Sequence, residues 1–229
     1  ILVLSIPISY VFQYVVNEGK MNLVGRDVLA VNQQGHTYSG DTPVSVFANK
    51  GEITGLNDLT TSGYTSMRQT VFAFLESGNT PGREQIFDNT ASGKIELRAP
   101  ESIVYNIGSN YDRVHSASFF NSGSIKMYGL KNVGVYTAGA YTGYSPSAGL
   151  AKPGRIVFDT PIEILGDQSI GIDLERPING AQSKINLKIG GEGNSYSGNA
   201  GSGYDPSLVE ESTGVYYKVT AGGANTLVT

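Results

Sequence analysis

The segment GSIKMYGLKNVGVY at 123–136 returns at 160–174 as TPIEILGDQSIGIDL, and the two superimpose without a gap. Ile125 falls on Ile162, Met127 on Ile164, Gly129 on Gly166, Val133 on Ile170, Gly134 on Gly171 and Val135 on Ile172. The same template matches GKMNLVGRDVLAV at 19–31 and GKIELRAPESIVY at 93–105. In all four copies the second and third apolar positions stand six residues apart: 23 to 29, 97 to 103, 127 to 133 and 164 to 170. Asn22, Glu96, Lys126 and Glu163 lie between apolar neighbours, so each copy is two runs of strand alternation with one wet and one dry face. A glycine, or Ala99 in one copy, separates the runs and lets the backbone bend. One such unit cannot bury its apolar stripe, whereas stacked units bury a continuous one.

A fifth, broken copy is SKINLKIGG at 183–191, with STGVYYKV at 212–219 as its second half and Ile185 in the place of Ile162. Copies spaced at irregular intervals of 74, 30, 37 and 23 residues, counted from Met21 through Ile95, Ile125 and Ile162 to Ile185, predict a parallel β-helix with loops that leave it and return. The asparagine-centred consensus of leucine-rich repeats is not present. The expected fold is therefore all-β, a single β-helical unit over 1–229 with excursions at about 55–90, 137–153 and 190–211. One short helical insertion is expected at 65–78, TSMRQTVFAFLESG, where Met67, Val71, Phe74 and Leu75 recur at helical spacing between a Thr65 or Ser66 cap and Gly78.

Composition narrows the function classes. Charged residues are 16% of 229, and glycine, at 30 residues, is about twice its usual share. The net charge of −4 provides no basic footprint for nucleic acid or an anionic bilayer. With no cysteine, disulfides, thiolate catalysis and cysteine-ligated metals are excluded. The opening ILVLSIPISYVFQYVV lacks a basic start and a small-residue cleavage pattern, and its β-branched and aromatic residues predict strand.

Candidate chemistry is sparse. His36 and His115 are the only histidines and belong to no catalytic motif. Asp167 and Asp173 flank one copy and suggest a glycosidase pair, against the simpler reading of a turn carboxylate and an outward strand carboxylate. GGEGNSYSG at 190–198 lacks the aspartate of calcium-binding glycine repeats, so neither a metal nor any cofactor is expected. Tyr141, Tyr144, Tyr196 and Tyr204 stand in Gly/Ser-rich stretches, where a flat, amphipathic ring suits a sugar or a protein patch.

The motif in GSIKMYGLKNVGVY and PIEILGDQSIGIDL resembles the repeating unit of type Va autotransporter passengers, particularly the large adhesins of the fusobacterial kind. Val28, in the place of Asn132 or Ser169, and Ala99 depart from it. The resemblance implies a right-handed parallel β-helix displayed at the bacterial cell surface, anchored through an outer-membrane barrel domain not found in this segment. It implies attachment to a host-cell glycan or protein receptor, or to a partner bacterium. No nucleophile motif of the passenger proteases occurs, so a non-enzyme is expected. The alternatives are a β-helical polysaccharide lyase or hydrolase, a phage tailspike-like protein, and a purely structural stalk.

Overall fold

A computed structural model describes residues 2–3, 13–33, 45–56, 59–60, 63–64, 66–74, 85–107, 117–137, 154–174, 183–190 and 212–217. These form three parallel sheets visited in strict rotation. The first sheet holds β2 (Gln13–Asn17), β5 (Ser45–Asn49), β10 (Gln85–Asn89), β13 (Ala117–Asn121) and β16 (Ile156–Phe158). The second holds β3 (Lys20–Leu23), β6 (Glu52–Gly55), β11 (Lys94–Leu97), β14 (Ser124–Met127), β17 (Ile162–Ile164) and β19 (Leu187–Ile189). The third holds β1 (Leu2–Val3), β4 (Leu29–Gln33), β9 (Thr70–Phe74), β12 (Ile103–Ile107), β15 (Val133–Thr137), β18 (Ile170–Leu174) and β20 (Thr213–Tyr217). Every neighbour within these sheets is parallel, and each strand pairs with its counterpart one turn of chain later. The molecule is a parallel β-helix. A separate antiparallel hairpin, β7 (Leu59–Thr60) with β8 (Gly63–Tyr64), interrupts the second rung.

The sequence alignment survives as strand register. Ile125 lies opposite Ile162 and Met127 opposite Ile164, all four fully buried. Val133 and Val135 lie opposite Ile170 and Ile172. In the last rung the register shifts by two residues from expectation: Leu187, not Ile185, faces Ile162, and Ile189 faces Ile164. A shift of two keeps every side chain on its own face. Ile185 still packs against the core.

The expected helix at 65–78 is a strand. Thr70–Phe74 forms β9, paired with β4 on one side and β12 on the other, and Val71, Phe72, Ala73 and Phe74 are all buried. Local helical spacing loses here because Val71, Phe72 and Phe74 are residues that fit a pleated, packed surface, and two flanking strands supply partners for the backbone of 70–74. Consequently β9 and β10 both fall inside the stretch that the copy spacing assigns to one long excursion. A hidden copy just before that stretch, SVFANKGEITG at 45–55, supplies β5 and β6, and Ile53 stacks between Met21 and Ile95.

Inside the helix, aromatic rings pile up. Phe47, Phe87 and Phe119 stack at 5.7 and 5.4 Å on the first sheet, and Phe72 and Tyr105 stack at 5.2 Å on the third. The two columns interlock, with Phe72 and Phe87 4.7 Å apart and Tyr105 and Phe119 4.9 Å apart. Each buried ring removes about 1.5–3 kcal/mol of apolar surface from water, and each offset pair adds about 0.5–1.5 kcal/mol.

Candidate ligand-binding edge

Three corners join the three sheets, and two of them are locked from inside. At the corner between first and second sheets, Asn17, Asn49, Asn89 and Asn121 close successive first-sheet strands and are all buried. Each amide donates to the next: Asn17 Nδ2 to Asn49 Oδ1, Asn49 Nδ2 to Asn89 Oδ1 and Asn89 Nδ2 to Asn121 Oδ1, each at 2.8 Å. Asn121 Nδ2 ends the ladder on the Thr160 carbonyl at 2.8 Å. Each link contributes about 0.5–1.5 kcal/mol net, and each fixes the corner of one rung on the next.

The corner between second and third sheets carries another ladder. One residue in each rung, Asp27, Arg68, Glu101, Lys131 and Gln168, adopts a left-handed backbone with φ between 51 and 57°. The residue that follows carries the hydrogen bonds: Gln69 N donates to Ser102 Oγ, Ser102 N to Asn132 Oδ1, Asn132 N to Ser169 Oγ, and Ser169 N to Ser212 Oγ, at 2.8–3.0 Å. Val28, the departure noted in the motif, has no such side chain, and Gln69 takes over by reaching back from the next rung to the Leu23 and Gly25 carbonyls. Rungs that insert extra chain at this corner, at 57–65 and 191–211, do so before Ser66 and Ser212 and then rejoin the ladder.

Among the described residues, no continuous ladder runs along the third corner. Its inward column is chemically mixed, Gln33, Phe74, Ile107, Thr137 and Leu174, with Gln33 Nε2 donating to Gln85 Oε1 at 2.7 Å. Six connections run from the third sheet to the first-sheet position of the next rung, through residues 4–12, 34–44, 75–84, 108–116, 138–153 and 175–182, all outside the described residues. The strand ends thus bring the roots of all six connections to one long edge of the rod.

The four candidate tyrosines lie outside the described residues, but their roots are placed. Tyr141 and Tyr144 belong to the third-corner excursion that follows Thr137, whereas Tyr196 and Tyr204 belong to the excursion that leaves Gly190 for Ser212 at the second corner. The four therefore stem from two edges. His36 and His115, also outside the described residues, belong to third-corner excursions. Asp167 sits in the second-corner turn and Asp173 on the outer face of β18, opposite Tyr136 and Tyr216.

The outer face of the second sheet is charged and paired with itself. Glu52 sits between Lys20 at 2.8 Å and Lys94 at 3.7 Å, and Glu163 between Lys126 at 3.9 Å and Lys188 at 3.5 Å. The Lys20 hydrogen bond holds the Glu52 carboxyl below its usual range, and the Arg68 guanidinium does the same for Asp27. On the first sheet, burial pushes the Asp88 carboxyl up. Among the described residues, no group of three His, Cys, Asp or Glu side chains is placed to hold a metal ion, and no helix is long and apolar enough to cross a membrane.

Compared with known protein families, curated proteins and solved structures, the chain matches none.

Proposed function

We propose that this chain is a segment of a bacterial surface adhesin of the autotransporter kind: a rigid rod whose excursions attach the cell to a host glycan or protein receptor, or to another bacterium. The observation that carries this reading is the unequal treatment of the three corners. Two are locked by hydrogen-bond ladders, and at the third a connection of eight residues or more links the end of each third-sheet strand from β1 to β18 to the first-sheet position of the next rung. Repeat proteins that concentrate insertions along one edge commonly bind there, because a stiff scaffold holds variable loops at low entropic cost. The excursions are rich in Gly, Ser, Thr and Tyr, as in HTYSG at 36–40 and AYTGYS at 140–145, the composition of adaptable recognition loops.

The reading is non-enzymatic. The outward row of the second sheet, Asn22, Thr54, Glu96, Lys126, Glu163 and Lys188, puts a lysine beside each glutamate and no second carboxylate. Surface display through an outer-membrane barrel elsewhere in the parent polypeptide belongs to the same proposal and rests on the resemblance of the repeat.

The test is binding of the purified chain to glycan arrays and intact cells, repeated with Tyr141, Tyr144, Tyr196 and Tyr204 each changed to alanine. Attachment is expected to weaken for Tyr141 and Tyr144, on the edge where excursions gather. Binding to no glycan or cell, or turnover of a polysaccharide, would overturn the reading.

A further inference from the structure

Part of the outer row of the third sheet reads carboxamide, methyl, carboxamide. Register sets Asn32 beside Ala73 and Ala73 beside Asn106, and the row continues to Tyr136 on the next strand. Neighbouring strands lie about 4.8 Å apart, so Asn32 and Asn106 stand roughly 10 Å from each other with the short Ala73 side chain as a floor between them. Both asparagines are half-buried, and Ala73 is buried.

Asn32 Oδ1 and Asn106 Oδ1 are shut off from solvent, and among the described residues neither receives a hydrogen bond. The first corner is the contrast, because there the buried amides of Asn49, Asn89 and Asn121 each meet the next. A buried acceptor without a donor costs stability, and native proteins retain few of them. A leucine would fill the same space without that cost. Local departures of this kind, two on one row, are characteristic of sites that a ligand completes.

Position and chemistry both narrow the ligand. The three residues stand one position before Gln33, Phe74 and Ile107, the strand ends from which the connections 34–44, 75–84 and 108–116 leave the sheet. Loops rooted on a stiff scaffold are where binding concentrates. Asn32, Ala73 and Asn106 carry no charge, so a charged group drawn out of water against them would go uncompensated. Two neutral acceptors match neutral hydroxyl donors. Tyr136, next in the row, brings an amphipathic ring of the kind that suits a sugar.

We propose that Asn32, Ala73 and Asn106 form the floor of a binding site for a neutral sugar, whose hydroxyls donate to the two carboxamide oxygens while its ring lies over the Ala73 methyl group. The proposal rests on the attachment reading and narrows it to a neutral glycan held where the third-sheet strands end.

The test is an array of neutral glycans, followed by calorimetric titration of the glycan bound best, with the unaltered chain and with Asn32→Leu, Asn106→Leu and Ala73→Val. Each substitution should weaken glycan binding about tenfold or more, the first two by removing an acceptor and the third by filling the floor. Chemical denaturation is the second readout: both leucine variants should keep or raise the midpoint, because each removes an unsatisfied acceptor. Glycan affinity unchanged in all three variants would overturn this inference and leave the attachment reading standing, as would attachment to cells with no neutral glycan bound. A midpoint lowered by both leucine variants would show that the carboxamides serve the fold, and would overturn it as well. Binding to neither glycan nor cell would overturn both.

Discussion

A Cβ placed on Gly55 would come within 2.5 Å of Gln69 Oε1 and 2.9 Å of Leu97 Cδ2. The other second-sheet strands put Leu23, Leu97, Met127, Ile164 or Ile189 in that place. Glycine is needed here because Gln69, in the same rung, turns its side chain inwards to reach the Leu23 and Gly25 carbonyls and fills the space a leucine would occupy. Gly55→Leu should therefore destabilise the protein by about 1–3 kcal/mol through overpacking. Gln69→Ser restores the residue type found at Ser102 and Ser169, so the double variant should recover part of that loss. Chemical denaturation of the four proteins gives the coupling energy; additive effects would show that the two side chains do not share the space.

Asn89 is the middle of the asparagine ladder, bonded to Asn49 and Asn121. Asn89→Leu is close in volume but leaves Asn49 Nδ2 without an acceptor and Asn121 Oδ1 without a donor. Two buried unsatisfied groups should cost about 2–6 kcal/mol in all. The loss is measurable as a shift of the denaturation midpoint, and amide hydrogen exchange should locate it at Lys50 and Thr90, the corner residues that follow Asn49 and Asn89.

Phe87 touches Phe47, Phe72, Phe119 and Tyr105 in one stack. Phe87→Ala opens a cavity in the middle of the rod and should cost about 3–5 kcal/mol. Phe87→Leu keeps most of the volume and loses the ring contacts, so it should cost less. Equal destabilisation by the two variants would show that stacking, rather than volume, dominates.

Acid and neutral pH should act in opposite senses on two carboxylates. The folded Glu52 carboxyl is depressed, chiefly by its hydrogen bond to Lys20, so its contribution is present above the ordinary glutamate value of about 4.3 and is lost as pH falls through the depressed value. Glu52→Gln should flatten that acid limb of the thermal midpoint. Asp88 is raised by burial, so the folded protein holds its proton longer than the unfolded chain does. Stability should fall as pH rises from the ordinary aspartate value of about 3.9 through the raised one, and Asp88→Asn should remove the fall. Midpoints recorded against pH in dilute solution check both signs.

The repeat was legible because its determinants are local in sequence. Residues such as Met127 and Ile164 carry the same alternation in each copy, and alternation alone decides which side chains share a face. Asn17, Asn49, Asn89 and Asn121 were not read from the sequence, because the template follows apolar positions and their ladder exists only between rungs. The copy at 45–55 stayed hidden because Gly55 breaks the apolar template, and the reason for that glycine lies in Gln69, fourteen residues later. The segment 65–78 read as helix because Met67, Val71 and Phe74 fit a helical period, and only the presence of β4 and β12 on either side shows that Thr70–Phe74 is a strand.

By itself, the sequence determined the fold class and most of the register, since strand periodicity is a property of neighbouring residues. Tertiary structure decided what periodicity cannot express: which corners of the rod carry hydrogen-bond ladders, and how Gln69 and Gly55 divide one space. These are relations between turns of the chain. They exist only when hydrogen-bonded stacking brings those turns to within about 5 Å of each other.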